Sequence, residues 1–456
     1  MAHNFRPLNR RQFLIFKPTP IHFVRPEHEV WFVMDLVKGY DLSPILGRYR
    51  EDGQGGEALD PLAMTQLLAY TYFRGVRSSR KIEMLCDDSL SFRAIFPTNP
   101  PDHSTISRFR KDNWGVLQGL FTHVLAECRK AGLVDPETGI VDGTKMKAAA
   151  SLEANTTLET VEKKLAHLEA EEQRTAETEV GVPPASRAAR RRGRTARSQR
   201  LEAARQEQEK KNQATVSAHA EKQEKRAKEE AETGRRTRGR KPGKGPTLEE
   251  LSREKVNATD PDSRIMKGRK GYVQGYNAQI MVTTHQIILA AEVTQDHNDT
   301  HQLLPMVEKT REELEKLGCS RDALKTVLAD AGYCTDANLA AQEGQKIELL
   351  SPPKKDAELR ALREAFKDKN TQSEFADRPR TTREGMAYYL ATDCGHARYK
   401  VRGTTVEPTF GQIKEDRDAD GFMVRGLPAC RSEWRLICAM HNLRKLWAHT
   451  KAQKAA

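Results

Sequence analysis

Residues 153–250 contain no phenylalanine, tyrosine or tryptophan. The stretch is mostly Glu, Lys, Arg, Ala and Gln, and such a segment cannot bury a normal core. Any core must therefore come from the residues before and after it. Within it, LEAARQEQEKKNQATVSAHAEKQEKRAKEEAE is rich in good helix formers and suits exposed helix. No sustained apolar heptad supports a long coiled coil. Two basic clusters, SRAARRRGRTARSQR and GRRTRGRKPGKG, are broken by Gly and Pro. They suit electrostatic contact with a nucleic-acid backbone or, equally, a solvated spacer.

The flanking parts differ in kind. Residues 1–135 read as all-helical. EHEVWFVMDLVKGY puts Val30, Val33, Met34 and Val37 on one helical face. DPLAMTQLLAYTYFRG begins with an N-cap aspartate and a first-turn proline, and ends at Gly75. In PDHSTISRFRKDNW, a cap at Asp102 or Ser104 starts a short polar helix carrying Ser107, Arg108, Arg110 and Lys111. Ser104, Ser107, Arg108, Arg110 and Lys111 suit the reading element of a helix-turn-helix, where small polar and basic side chains meet base edges and phosphates. An ordinary solvated helix has the same composition.

After the charged segment, strands are expected near 276–283 and 286–294, then a helix from about 303, a strand in LKTVLAD, a helix capped by Thr335, and a strand in KIELLSP. A short apolar run, Ile140–Val141, precedes the segment. The order is strand, insertion, strand, strand, helix, strand, helix, strand: an α/β pattern with an early antiparallel part. Aspartates stop the first strand and the fourth, Asp142 and Asp330. A cap or turn former explains either alone. In such a sheet, neighbouring strand ends bring distant carboxylates together.

A third acid lies in YKVRGTTVEPTFGQIKEDRDADGFMVRGL. A helix is expected to start near Glu407–Pro408, with Glu407, Gly411 and Lys414 on one face and Val406, Phe410 and Ile413 on an apolar one. A surface Glu/Lys pair is the plain alternative. Two aspartates and a glutamate offer oxygen ligands to paired hard cations, Mg²⁺ or in its place Mn²⁺. Two ions so held support phosphodiester chemistry. HExxH, GxSxG and GxxxxGK[ST] are all missing, which removes zinc-protease, serine-hydrolase and P-loop readings.

The composition agrees with a polyanionic partner: 76 Lys plus Arg against 64 Asp plus Glu give a net charge of +12. Seven scattered cysteines without a CxxC imply neither a disulfide framework nor a structural zinc. No stretch suits a signal peptide or a membrane span, so a cytoplasmic protein is expected.

Taken together, these blocks resemble bacterial insertion-sequence transposases of the DDE class. VDGTKMKAAAS resembles the first-aspartate block and VLADAGYCTDAN the second. YKVRGTTVEPTFGQIK resembles the Tyr-Arg-Glu-Lys signature at Tyr399, Arg402, Glu407 and Lys414, with one residue more than usual between Arg402 and Glu407. The resemblance implies a helical DNA-binding domain (1–135) and a ribonuclease-H-like α/β domain with a mixed sheet (136–152 and 255–448), split by the charged insertion (153–254). It implies catalytic roles for Asp142, Asp330, Glu407, Lys414, Arg402 and Tyr399, with the three acids holding two Mg²⁺ ions. It also implies cleavage at terminal inverted repeats and strand transfer into target DNA, by two copies of the chain, at the bacterial nucleoid. The open alternatives are a metal-dependent nuclease without strand transfer and a non-enzymatic DNA-binding protein.

Overall fold

The computed structural model describes residues 23–49, 58–178, 184–234, 245–268, 271–353, 356–365 and 379–455. Among these residues eight helices come first: α1 (Glu29–Lys38), α2 (Ser43–Leu46), α3 (Pro61–Phe73), α4 (Ser79–Asp88), α5 (Leu90–Arg93), α6 (His103–Asp112), α7 (Trp114–Leu117) and α8 (Leu120–Lys130). The expected caps form. Asp60 accepts from Leu62 N ahead of Pro61, and Asp102 accepts from Ser104 N and Thr105 N. Every residue of α3 from Met64 to Phe73 is buried, which makes it the centre of the helical part.

The sheet follows. β1 (Thr138–Lys147) leads into β2 (Asn155–Thr157), α9 (Leu158–Thr178), α10 (Pro184–Thr233), α11 (Leu248–Arg253) and β3 (Lys255–Asn257). Then come β4 (Arg264–Gly268), β5 (Gly271–Val282), β6 (Ile288–Thr294), α12 (Leu303–Lys316), β7 (Thr326–Ala329), α13 (Asp336–Gln345) and β8 (Glu348–Leu350). Last are α14 (Asp356–Ala365), α15 (Arg383–Ala391), α16 (Asp393–Lys414) and α17 (Leu427–Ala455). The sheet runs β4-β5-β1-β7-β8, and β6 also pairs with β5. β5 is long enough to take β4 on its first half and β6 on its second, with β1 along its other side. β1 pairs antiparallel with β5 and parallel with β7, and β7 parallel with β8. A mixed sheet preceded by helices is consistent with the expected ribonuclease-H-like domain behind a helical one.

Two expectations about elements need correction. Asp142 does not end its strand: β1 continues to Lys147, because antiparallel pairing with β5 extends through Lys147↔Gly275. Only the parallel pairing with β7 stops at Val141↔Ala329. Nor does a helix begin at Glu407. α16 starts at Asp393, capped by the Thr392 side chain, and carries Pro408 in its interior. Proline supplies no N–H and usually breaks a helix. Here the buried side chains Thr405, Val406, Thr409 and Ile413 hold the segment helical on both sides of it.

The insertion is helical, as its composition suggests, but it is not merely a solvated spacer. β2 and β3 pair at its base, and Val161, Leu168, Leu201, Ala204 and Val256 form a small core of their own. Arg264 on β4 pairs with Glu207 on α10, both largely buried, so α10 lies against the sheet. Residues 235–244, with much of the second basic cluster, lie outside the described residues.

One large core joins the first eight helices to the sheet, with α17 at its centre. Trp434 Nε1 donates to Gln279 O of β5, and the Asn442 amide bonds both N and O of Ile288, closing the end of β6 as a strand would. Glu433 is fully buried and accepts from Tyr72 on α3 and from Met423 N. No helix among the described residues is long and apolar enough to cross a membrane.

Candidate active site

The register of β1 and β7 builds the site. Ile140 pairs with Leu328 and Val141 with Ala329, so Asp142 and Asp330 are the next residues on adjacent parallel strands. Asp330 also caps the turn Ala331–Tyr333 through Ala331 N. One side chain therefore caps this turn and stands near Asp142. Its backbone is held by Ser351, whose hydroxyl donates to Asp330 O at 2.7 Å.

α16 packs across this edge. Arg402 Nη2 donates to Asp142 Oδ2 at 2.8 Å, both side chains mostly buried. Tyr399 OH donates to Ala329 O at 3.2 Å, tying α16 to the end of β7. Burial pushes the Asp142 carboxyl up to about 6. Arg402 and the Gly143 N–H oppose that shift, while Asp330 and Asp299 add to it as like charges. Burial disfavours the charge on Arg402, but Asp142, Tyr399, Asp330 and Glu407 outweigh it and raise its pKa. The guanidinium thus sits in the field of all three proposed acids.

Glu407 itself is exposed, five residues along α16 from Arg402. Among the described residues, no three His, Cys, Asp or Glu side chains are gathered closely enough to hold a metal ion. Asp142 and Asp330 suit a hard cation in donor type, and the crowding of negative charge on Asp142 is what a cation relieves. Lys414, expected on the same helical face as Glu407, donates to Lys145 O on β1 at 2.8 Å.

A polar shelf missed in the sequence lies beside Gly143. Asp299, in the loop after β6, accepts from Asn277 at 2.6 Å and Gln279 at 2.7 Å, and Lys145 pairs with it at 3.7 Å. Gln279 in turn accepts from the buried Tyr333 hydroxyl, three residues beyond Asp330. A Cβ on Gly143 would collide with Gln279 Nε2 and stand 2.7 Å from Asp299 Oδ1, so a side chain there would displace the shelf. The one sequence signal was polar Asn277 and Gln279 at alternate positions among the apolar residues of 276–282.

The polar helix is α6. Ser104, Ser107, Arg108 and Lys111 are exposed, and their spacing of three, one and three places them on one face. Arg110 turns the other way: it is 5% exposed and donates to Tyr72 OH and Arg77 O. A cleft of about 890 Å³ runs beside this helix, with Ser107, Lys111 and Trp114 facing Arg425 and Arg431.

Residues 254–443 match the family described as Transposase DDE domain, and residues 20–112 match the Transposase domain (DUF772) family. No curated protein and no solved structure matches the chain.

Proposed function

We propose, for a chain that belongs to the DDE-type transposases of the bacterial insertion-sequence kind, that Asp142, Asp330 and Glu407 form a metal-dependent site for cleaving DNA at element ends and joining those ends to target DNA. The observation that carries this reading is the β1–β7 register, which makes Asp142 and Asp330 neighbours under a helix bearing Glu407. The three carboxylates would hold Mg²⁺, which when bound activates the attacking oxygen and offsets charge on the departing one.

The chain's own side chains supply the rest. Arg402 orients Asp142 through a charge-assisted hydrogen bond and lends positive charge where a phosphorus centre gains negative charge. Tyr399 and Lys414 hold α16 against β7 and β1, which sets the distance from Glu407 to the aspartates. Ser104, Ser107, Arg108 and Lys111 form the DNA-facing side of α6, and Arg110 fixes that helix from within.

The test uses a labelled element end, Mg²⁺ and a target plasmid. Joined donor–target product supports the proposal. Cut ends without joining support a nuclease, and binding without cutting supports a DNA-binding protein. In the same assay, Arg108→Ala with Lys111→Ala weakens DNA binding and lowers its log–log salt slope by about 2, roughly one for each phosphate no longer neutralised. Unchanged affinity and slope would remove α6 from the interface.

A further inference from the structure

Just beyond the end of α16, the chain turns Arg417 inward. The residue is 6% exposed, and its Nε and Nη1 have no hydrogen-bond partner. Its Nη2 lies 3.4 Å from His441 Nδ1 on α17. His441 Nε2 lies 2.9 Å from Gln286 O and must be the donor to it, so Nδ1 of a neutral ring faces the guanidinium. Lys445 donates to the Gln286 side chain at 2.6 Å. Arg444 lies 5.7 Å from the Phe73 ring centre and reaches Phe73 O at 3.4 Å. The turn after α3 packs on the Arg417 main chain: Gly75 has φ +76°, and a Cβ there would stand 3.0 Å from Arg417 Cα.

Positive charge accumulates here with little to offset it. Burial lowers the pKa of Arg417 to about 10 and Arg444 adds to that, with only Cys438 and Asp416 acting the other way. Burial also lowers Lys445, and Arg417 and Arg444 push it further down. A buried guanidinium with unmade hydrogen bonds is costly, and an apolar side chain of similar volume would be cheaper. An anion with several acceptor oxygens would satisfy both nitrogens and offset the charge.

We infer that Arg417, Arg444 and Lys445 form a phosphate-binding site at the junction of α3, α16 and α17. The phosphate is a backbone phosphate of bound DNA; that identification rests on the transposase reading, whereas the site's preference for phosphate does not.

The test uses the full chain, Arg417→Met, and Arg444→Ala with Lys445→Ala. Thermal midpoints are measured in inorganic phosphate and in chloride of equal ionic strength. Affinity for duplex DNA of unrelated sequence is measured across a salt series. Phosphate should raise the midpoint of the wild type and of neither variant. Arg417→Met should be at least as stable as the wild type in chloride, since it removes an uncompensated buried cation. Both variants should bind DNA more weakly, with a salt slope lower by about one for each phosphate left without its cation. An equal phosphate effect in all three proteins, or none in the wild type, overturns the site. A phosphate effect confined to the wild type, with DNA affinity and slope unchanged in the variants, overturns the DNA assignment. If Arg417→Met does not fold, the surface double variant decides. A wild type that responds to phosphate but cleaves no element end would remove the transposition reading and leave the site standing.

Discussion

Asp142 is held by more than its place in the strand. Arg402 bonds one oxygen, Gly143 N–H the other, and Asp330 and Asp299 press on it as like charges. Removing one charge from such a group changes chemistry before it changes folding. Asp142→Asn, Asp330→Asn and Glu407→Gln are each expected to lower Mg²⁺-dependent cleavage by at least about a hundredfold, the scale of losing one preorganised electrostatic partner, with thermal midpoints near wild type. Single-turnover cleavage beside thermal melts checks this, and near-normal turnover in any one variant removes that residue from the site. Asp299 permits a sharper division. Asn at 299 keeps an acceptor oxygen for Asn277 and Gln279, while Ala keeps none. Asp299→Ala should lower cleavage by roughly 10–100-fold, as loss of an orienting residue does, and Asp299→Asn should recover part of it. Equal losses would mean that the charge paired with Lys145 matters and the shelf does not.

Among elements, α17 carries the most structural duty, since both the helices and the sheet pack on it. At its middle, burial and then Arg417 lower the pKa of His441 to about 3, against an ordinary 6.5. The folded state therefore binds fewer protons here than the unfolded chain. This contribution to stability is complete above about pH 6.5 and is lost progressively as pH falls toward 3. Its full size is on the order of a few kcal/mol. His441→Gln should narrow the gap between urea midpoints measured at pH 7 and pH 4.5; an unchanged gap would exclude His441 as the source. α16 shows how tertiary contacts override local preference. Pro408 signals a helix start in sequence, yet Val406 and Ile413, both fully buried, fix the helix on either side of it.

At the scale of the molecule, the described residues form two cores of unequal size. The small one belongs to the insertion and is separate from the large one. β2 and β3 pair at the base of the insertion, with Thr157 opposite Lys255, so a two-residue Asn-Gly turn can close them. Replacing residues 158–254 by that turn is expected to leave the sheet and first eight helices folded, with a single cooperative melt and retained circular dichroism of the sheet. Loss of the cooperative melt would show that the Arg264–Glu207 contact and its neighbours are required by the main fold.

The amino-acid sequence by itself determined the split between a helical part, a charged insertion and an α/β part, because aromatic content, caps and apolar periodicity are local properties. It also marked Asp142 and Asp330, since a carboxylate beside an apolar run conflicts with local burial, and Glu407 through its resemblance to the Tyr-Arg-Glu-Lys signature. Pairing was decided only in three dimensions. β1 passes through Asp142 because β5, more than a hundred residues later, supplies its hydrogen bonds. Arg110 points inward because Tyr72 and the Arg77 carbonyl wait there, although in sequence it is one more basic residue beside Arg108 and Lys111. Asp299 and Arg417 gained their surroundings in the same way. Both lie in polar stretches without periodicity, and only the packing of distant elements sets the charge around them.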